Sequence, residues 1–264
     1  MTLADEVTAI DSVAATTRDA QAGDRSSGES PAGDRAGSGR PVTAERARPA
    51  RPVTAEHAGA GSPVTVLRRR VRRPDPADHR LPDRRAAERA VADLLAALGK
   101  DPANLHLADT PRRVADALLE LTTPVDFDLT TFPNDEGYDE MVVAVGIPIH
   151  SLCEHHLLPF VGVAHIGYLP GDRILGISKL ARVAEMFARD LQVQERLTAQ
   201  IADWLTENLD PVGVGVVIEA EHLCQSLRGV RAAGTRTVTS ALRGTVRSDQ
   251  RCREEFLALT RSRN

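Results

Sequence analysis

The residues best equipped for chemistry fall in two short segments far apart in the chain: Ser151-Leu152-Cys153-Glu154-His155-His156 and Glu221-His222-Leu223-Cys224. Each offers a thiolate and an imidazole, the ligand types zinc prefers. A structural zinc site takes four protein ligands, whereas a catalytic one takes three and keeps a position for water. Cys153, His156 and Cys224 would leave that position open. His155 and His222 would then stand beside the metal as acid–base groups, since an unperturbed imidazole titrates near pH ~6.5. Spacing alone does not show that the two segments meet. It leaves open a structural zinc staple, an ordinary buried Cys224 following a strand, and a core His155.

The elements that must position these residues are readable from periodicity. No aromatic residue precedes Phe127, and residues 1–78 are dominated by Ala, Gly, Ser, Thr, Pro, Arg and Asp. Such a segment buries too little apolar surface to offset its ordering entropy, so a disordered tail is expected. Its short repeats, AGDR at 22–25 and 32–35 and RPVTAE at 40–45 and 51–56, are too polar to build a solenoid. The basic run Arg68–Arg73 closes the tail and reads as solvated.

Residues 79–264 form the ordered domain, with a helical part over 79–125 and a sheet-bearing part over 139–264. Asp83 is placed to cap a helix over Ala86–Leu98 that Gly99 stops. Thr110 and Pro111 start a second helix, which runs to about Leu121 and buries Val114, Leu118 and Leu121. Residues 122–138 read as a loop. Met141–Ile149, Phe160–Leu169, Val212–Glu219 and Thr235–Leu242 read as strands. Between them lie a helix capped by Ser178 and another over Glu195–Leu209. The class is therefore α+β.

A formal net charge of -4 does not fit a strongly basic nucleic-acid binder. No stretch approaches the ~18 apolar residues of a membrane span, and the first fifteen residues lack the pattern of a secretory signal. Three cysteines do not make a disulfide framework. A soluble cytoplasmic protein, binding neither nucleic acid nor membrane, is expected.

Several longer segments carry a family resemblance. Ser151–Gly162 (SLCEHHLLPFVG), Gly176–Arg182 (GISKLAR), Gln192–Leu197 (QVQERL) and Glu221–Ser240 (EHLCQSLRGVRAAGTRTVTS), together with Thr110–Val114 (TPRRV), resemble GTP cyclohydrolase I. The resemblance covers roughly residues 85–260. It implies a zinc-dependent hydrolase that opens the imidazole ring of GTP, releases formate and yields 7,8-dihydroneopterin triphosphate. It implies Cys153, His156 and Cys224 as zinc ligands, His222 as the acid toward the purine ring nitrogen, His155 as a second proton-transfer group, and Ser178 in the later sugar rearrangement. Glu195, with Gln194 beside it, matches the guanine-reading position, and Lys179, Arg182 and Arg228 match triphosphate-binding positions. The implied fold is the tunnelling fold: an antiparallel sheet with helices packed on one face, preceded here by N-terminal helices and the disordered tail. The implied assembly is a homo-oligomer, a toroidal decamer with active sites at subunit interfaces.

The chain departs from the family pattern at Gln225 and Leu227, where methionines are common after the second cysteine. Neither position supplies a ligand. Folate-type pterin synthesis and 7-deazapurine synthesis start with the same reaction, and these residues do not separate them. A zinc-stapled, non-enzymatic oligomer is the competing reading; it has no need of His155, His222, Glu195 or Lys179.

Overall fold

The computed structural model describes residues 66–71, 81–101 and 103–261. The expected disorder of residues 1–65 and 72–78 lies outside the described residues. Two helices come early: α1 (Arg84–Ala97) and α2 (Thr110–Thr122), with strand β1 (Leu67–Val71) before them. Strands β2 (Phe127–Pro133), β3 (Val142–Cys153), β4 (Pro159–Leu169) and β5 (Arg173–Leu175) follow. Then come α3 (Ser178–Ala188), β6 (Leu191–Gln192), α4 (Gln194–Leu209), β7 (Gly213–His222), α5 (Leu223–Ser226), β8 (Thr237–Arg243), α6 (Gly244–Ser248) and α7 (Gln250–Thr260). Among the described residues no helix is long and apolar enough to cross a membrane.

The strands form two sheets, one in the order β1-β2-β5 and a larger one in the order β6-β3-β4-β7-β8. In the larger sheet only the short β3–β6 pairing is parallel. Alternate residues of β4 and β7, including Phe160, Ala164, Ile166, Val214, Val216 and Ile218, are fully buried. They share one core with Leu180, Val183 and Phe187 of α3 and Leu197, Ile201 and Leu205 of α4. This is the period-2 face of a sheet meeting the period-3.6 faces of two helices.

The opposite face is covered as well, which corrects the expectation of helices on one face. Gly167 of β4 and Gly215 of β7 are register partners. Together they leave a hollow in the sheet surface, and the ring of Phe256 from α7 fills it. A Cβ at Gly215 would lie 2.6 Å from that ring, and one at Gly167 would lie 3.0 Å from it. Phe256, Val246 and Met141 form the second, smaller core.

Other local expectations change. Leu67–Val71, assigned to the tail, pairs antiparallel with β2. Arg70 of the basic run reaches Asp126 and Asp128 at 3.9 and 3.5 Å, and Val71 is buried. The supposed loop holds β2 because Phe127, Leu129 and Thr131 alternate inward beneath its Pro, Thr and Asp content. Asp83 does cap α1, accepting from Ala86 N at 3.0 Å. Ser178 does not cap α3: Ile177 already has helical dihedrals, so Ser178 is the first helical residue. Thr110 likewise falls inside α2, after an Asp109 whose carboxylate pairs with Arg112 and Arg113 instead of capping. Helix α2 buries Ala115; Val114 is exposed and Leu118 and Leu121 are half-buried.

The glycine hollow yields a test. Gly215→Ala forces the Phe256 ring to shift and is expected to cost about 1–3 kcal/mol of stability. Phe256→Ala empties the hollow and is expected to cost about 3–5 kcal/mol. On top of Phe256→Ala, Gly215→Ala is expected to be nearly neutral, because the space is already vacated. Denaturant midpoints of the four proteins give the coupling. Strictly additive losses would mean that the ring and the glycine do not compete for one volume.

Candidate metal centre and catalytic pocket

Strand β3 ends at Cys153, and the chain turns sharply before β4 begins. Cys153 N donates to Leu158 O and Leu157 N donates to Cys153 O, both at 2.9 Å. Leu157 sits at φ 55, the left-handed conformation that closes this turn. The turn carries His156 back over the strand end, so that its Nδ1 is 3.6 Å from Cys153 Sγ. Glu154 is pinned from outside: its carboxylate takes the Arg196 guanidinium, and its N–H donates to Gln192 O at 3.1 Å. Arg196 also donates to Gln192 Oε1 and Leu191 O.

The second segment arrives through sheet register. Phe160, at the start of β4, is paired with His222, at the end of β7. The end of β7 therefore lies at the same end of the sheet as the β3–β4 turn. One step further, the short α5 begins and delivers Cys224. Sulfur and nitrogen atoms of Cys153, His156 and Cys224 all lie within 4.8 Å of one another. In a tetrahedral centre with sulfur at ~2.3 Å and nitrogen at ~2.0 Å, the sulfur-to-nitrogen edge is about 3.5 Å. The observed 3.6 Å between Cys153 and His156 fits that edge. His155 Nδ1 is also close to Cys153 Sγ, at 3.7 Å. Cys224 separates the two histidines, because only His156 joins the common cluster.

The donor chemistry agrees. Burial, and then the adjoining Cys153 thiol, push the Cys224 thiol above its ordinary range. A buried thiol such as Cys224 beside a second thiol resists becoming a thiolate on its own, and a divalent cation would supply the missing charge compensation.

A cavity of about 380 Å³ opens beside this cluster. It is lined by Cys153, His155, His156, Gln194, Glu195, His222, Cys224 and Arg228, so eight of the eleven expected site residues come together. The His222 ring stacks on Phe160, with centroids 4.6 Å apart and planes 12° apart. Burial holds His222 below the ordinary imidazole range, and the negative charge of Glu195 partly offsets that. Glu195 is exposed in the first turn of α4, where the helix dipole favours an anion. Arg228 is exposed and precedes Gly229, which adopts φ 64.

The remaining three residues, Ser178, Lys179 and Arg182, do not line this cavity. They belong to the start of α3, where Arg182 pairs with Glu185 at 2.9 Å. Gln194 also departs from expectation. It is 1% exposed, and its side chain is turned into the protein. Its Nε2 donates to Ile218 O, Thr237 O and Thr239 Oγ1, and its Oε1 meets His222 Nε2. The side chain has no polar atom left for a substrate. Gln192, Val193, Val230 and Thr237 line the cavity without having been singled out. Gln192 and Thr237 lie within segments the sequence marks, but neither carries a charge or a ligand atom that would flag it.

The sequence profile described as GTP cyclohydrolase I matches residues 87–261. A protein of Synechococcus sp. (strain JA-2-3B'a(2-13)) named GTP cyclohydrolase 1 is 53% identical over 176 residues, covering 65% of this chain and 77% of that protein. One of Mycobacterium leprae (strain Br4923) with the same name is 52% identical over 182 residues, covering 67% and 89%. One of Thermoanaerobacter pseudethanolicus, again of that name, is 48% identical over 186 residues, covering 69% and 98%.

Metal content tests the donor set directly. Protein purified with zinc in the medium is expected to lose the metal in Cys153→Ala, His156→Ala and Cys224→Ala, and to keep it in His155→Ala. Elemental analysis of the four variants reads this. Loss in His155→Ala with retention in His156→Ala would exchange the roles of the two histidines.

Proposed function

The chain belongs to the GTP cyclohydrolase I family, and on that premise we propose that it opens the imidazole ring of GTP, releasing formate and forming 7,8-dihydroneopterin triphosphate, with zinc held by Cys153, His156 and Cys224. The observation that carries this reading is the meeting of that donor set with His222, Glu195 and Arg228 in one cavity. A bare metal staple has no use for a half-buried histidine, a carboxylate and a guanidinium facing the same space.

A zinc ion held by Cys153, His156 and Cys224 would supply Lewis acidity and would bring the pKa of a water down to about 7, the chemistry that hydrolytic opening of a purine imidazole ring needs at neutral pH. Glu195 accepts the adjacent N–H donors of guanine, which a carboxylate matches. Arg228 offers its fork of donors to the phosphates, as a guanidinium does best. His222 gives a proton to the purine ring nitrogen as the ring opens, and His155 serves the later proton transfers. Ser178 acts in the sugar rearrangement, and Lys179 and Arg182 hold the triphosphate.

Those last three residues stand apart from the cavity, and this favours a homo-oligomer in which α3 of a neighbouring copy completes each site. Sheet edges support the same reading. Strand β6 has two residues, and β8 ends the other side of the sheet with Val238 61% exposed. Open edges of this kind invite pairing with another chain. A tunnelling fold closed into a ring, assembled as a decamer in the cytoplasm, satisfies both edges.

Zinc-loaded protein incubated with GTP is expected to release formate and a pterin that fluoresces after oxidation. No turnover with the zinc in place would overturn the reading. His222→Ala is expected to keep its zinc while formate release falls by about 100-fold or more. Shared sites predict one further result. Co-expressed His222→Ala and Lys179→Ala chains, each inactive alone, are expected to regain partial activity because some mixed sites draw both intact residues. Absence of any recovery would place the whole site within one chain.

A further inference from the structure

His222 is the group that must deliver a proton at a defined atom, yet an imidazole can rotate and carries its proton on either nitrogen. Two features of this chain remove both freedoms. Phe160 stacks under the ring at 4.6 Å and fixes its plane. Gln194 Oε1 lies 2.8 Å from His222 Nε2 and fixes the rotation within that plane.

The orientation of the Gln194 amide is not arbitrary. Its nitrogen faces two backbone carbonyls, Ile218 O at 3.1 Å and Thr237 O at 3.0 Å. Carbonyls only accept, so the group facing them must be the NH2, and the group facing His222 must be the oxygen. An amide oxygen also only accepts. His222 Nε2 must therefore carry a hydrogen and donate it. Thr239 Oγ1 stands 3.1 Å from the same amide nitrogen and 2.6 Å from Thr198 Oγ1, and Thr198 donates back to Gln194 O at 2.7 Å. The amide is thus held at both ends by α4, β7 and β8. Among the described residues, Nδ1 of His222 has no protein hydrogen-bond partner.

We propose that Gln194 is the positioning residue of the reaction, locking His222 with its hydrogen on Nε2 so that Nδ1 is the atom that exchanges a proton with the substrate. The inference rests on the assignment of His222 as the proton donor. In the step it serves, the Nδ1–H bond of the imidazolium breaks and an N–H bond forms on the purine ring nitrogen. What remains is a neutral imidazole protonated at Nε2, the form that Gln194 holds. The charge of the acid is lost from the ring without any change in the Gln194 hydrogen bond, so the buried amide network need not rearrange during turnover.

Gln194→Met keeps the length of the side chain and removes the amide. Its zinc content is expected to match the unmutated protein. Its kcat for formate release is expected to fall about 10- to 100-fold, by analogy with the loss when the partner orienting a metal-bound histidine is removed, with KM for GTP and the preference for GTP over inosine 5′-triphosphate unchanged. In a His222→Ala background the same change is expected to add no further loss. A raised KM with a lost preference for GTP would show that Gln194 reads the guanine, and equal losses in both backgrounds would show a merely structural role; either overturns the proposal. Should Gln194→Met fail to fold, solid-state 15N spectroscopy of the unmutated zinc-loaded protein still tests it. The His222 signals, identified by their absence in His222→Asn, are expected to report hydrogen on Nε2, and hydrogen on Nδ1 alone overturns it. Absence of formate release by the unmutated protein is a separate failure, that of the assigned reaction, and leaves the tautomer measurement standing.

Discussion

The site depends first on the antiparallel register between β4 and β7. Phe160 opposite His222 is the last full pair of a ladder that runs back to Leu169 opposite Gly213. Side chains alternate faces along a strand, so a slip of one residue would turn His222 to the other side of the sheet and carry Cys224 away from the β3–β4 turn. The register is held where slipping costs most. One face of the ladder places Ile166, Ile218 and Val216 in the main core, and the other places Gly167 opposite Gly215 beneath Phe256. A slipped ladder would bring side chains into the ring's volume and expose the apolar set. The geometry of the candidate metal site is thus specified by packing some distance from Cys153, His156 and Cys224.

Polar groups beneath the site are fixed by a different constraint. Where helices α3 and α4 meet the sheet ends, backbone carbonyls and side chains leave water, and each needs a partner. Ser151 donates to Ala188 O, Gln192 donates to Phe187 O and to Gln200, and Gln194 donates to Ile218 O and Thr237 O. Among the described residues no buried side-chain nitrogen or oxygen lacks a partner. These bonds tie the starts and ends of helices to the strand termini that present Cys153 and His222. A hydrogen-bonded floor of this kind holds a catalytic group within the narrow tolerance that proton transfer demands.

The candidate ligand cluster was legible in the sequence because two of the three cysteines each stand within three residues of a histidine, Cys153 near His156 and Cys224 near His222. The long amphipathic helix ending at Leu209 was legible because Leu197, Ile201 and Leu205 repeat with its period, and all three are buried. Strand β2 was not legible, since Asp and Thr on its outward face dilute the alternation of Phe127 and Leu129. Strand β1 was hidden for a related reason: three arginines in five residues read as solvent, yet an antiparallel partner needs only backbone and one inward Val71. Helix caps failed at Ser178 and Thr110, where the preceding residue already has helical dihedrals. Gln194 was read as facing substrate because it adjoins Glu195. On a helix, however, adjacent residues point about 100° apart, so Glu195 is exposed at the cavity while the amide of Gln194, which also borders it, hydrogen-bonds into the sheet.

That angular separation divides the labour at the start of α4. Glu195 projects into solvent-accessible space, where its partner is whatever enters, and Gln194 projects into the sheet, where its partners are permanent. The same division holds across the site. Groups proposed to move protons or hold a metal stand on strand ends and a tight turn with fixed neighbours, as His222 does on Phe160. Groups proposed for phosphates stand at the start of α3 or in a loop: Arg182 and Arg228 are exposed and Lys179 is half-buried. Long, solvated cations lose little when a ligand is absent and can adapt to it when present. A misplaced imidazole has no such latitude, because proton transfer falls away within a fraction of an ångström. Rigidity is therefore concentrated where the chemistry cannot tolerate error, and the charges that only need to attract are left free of the core.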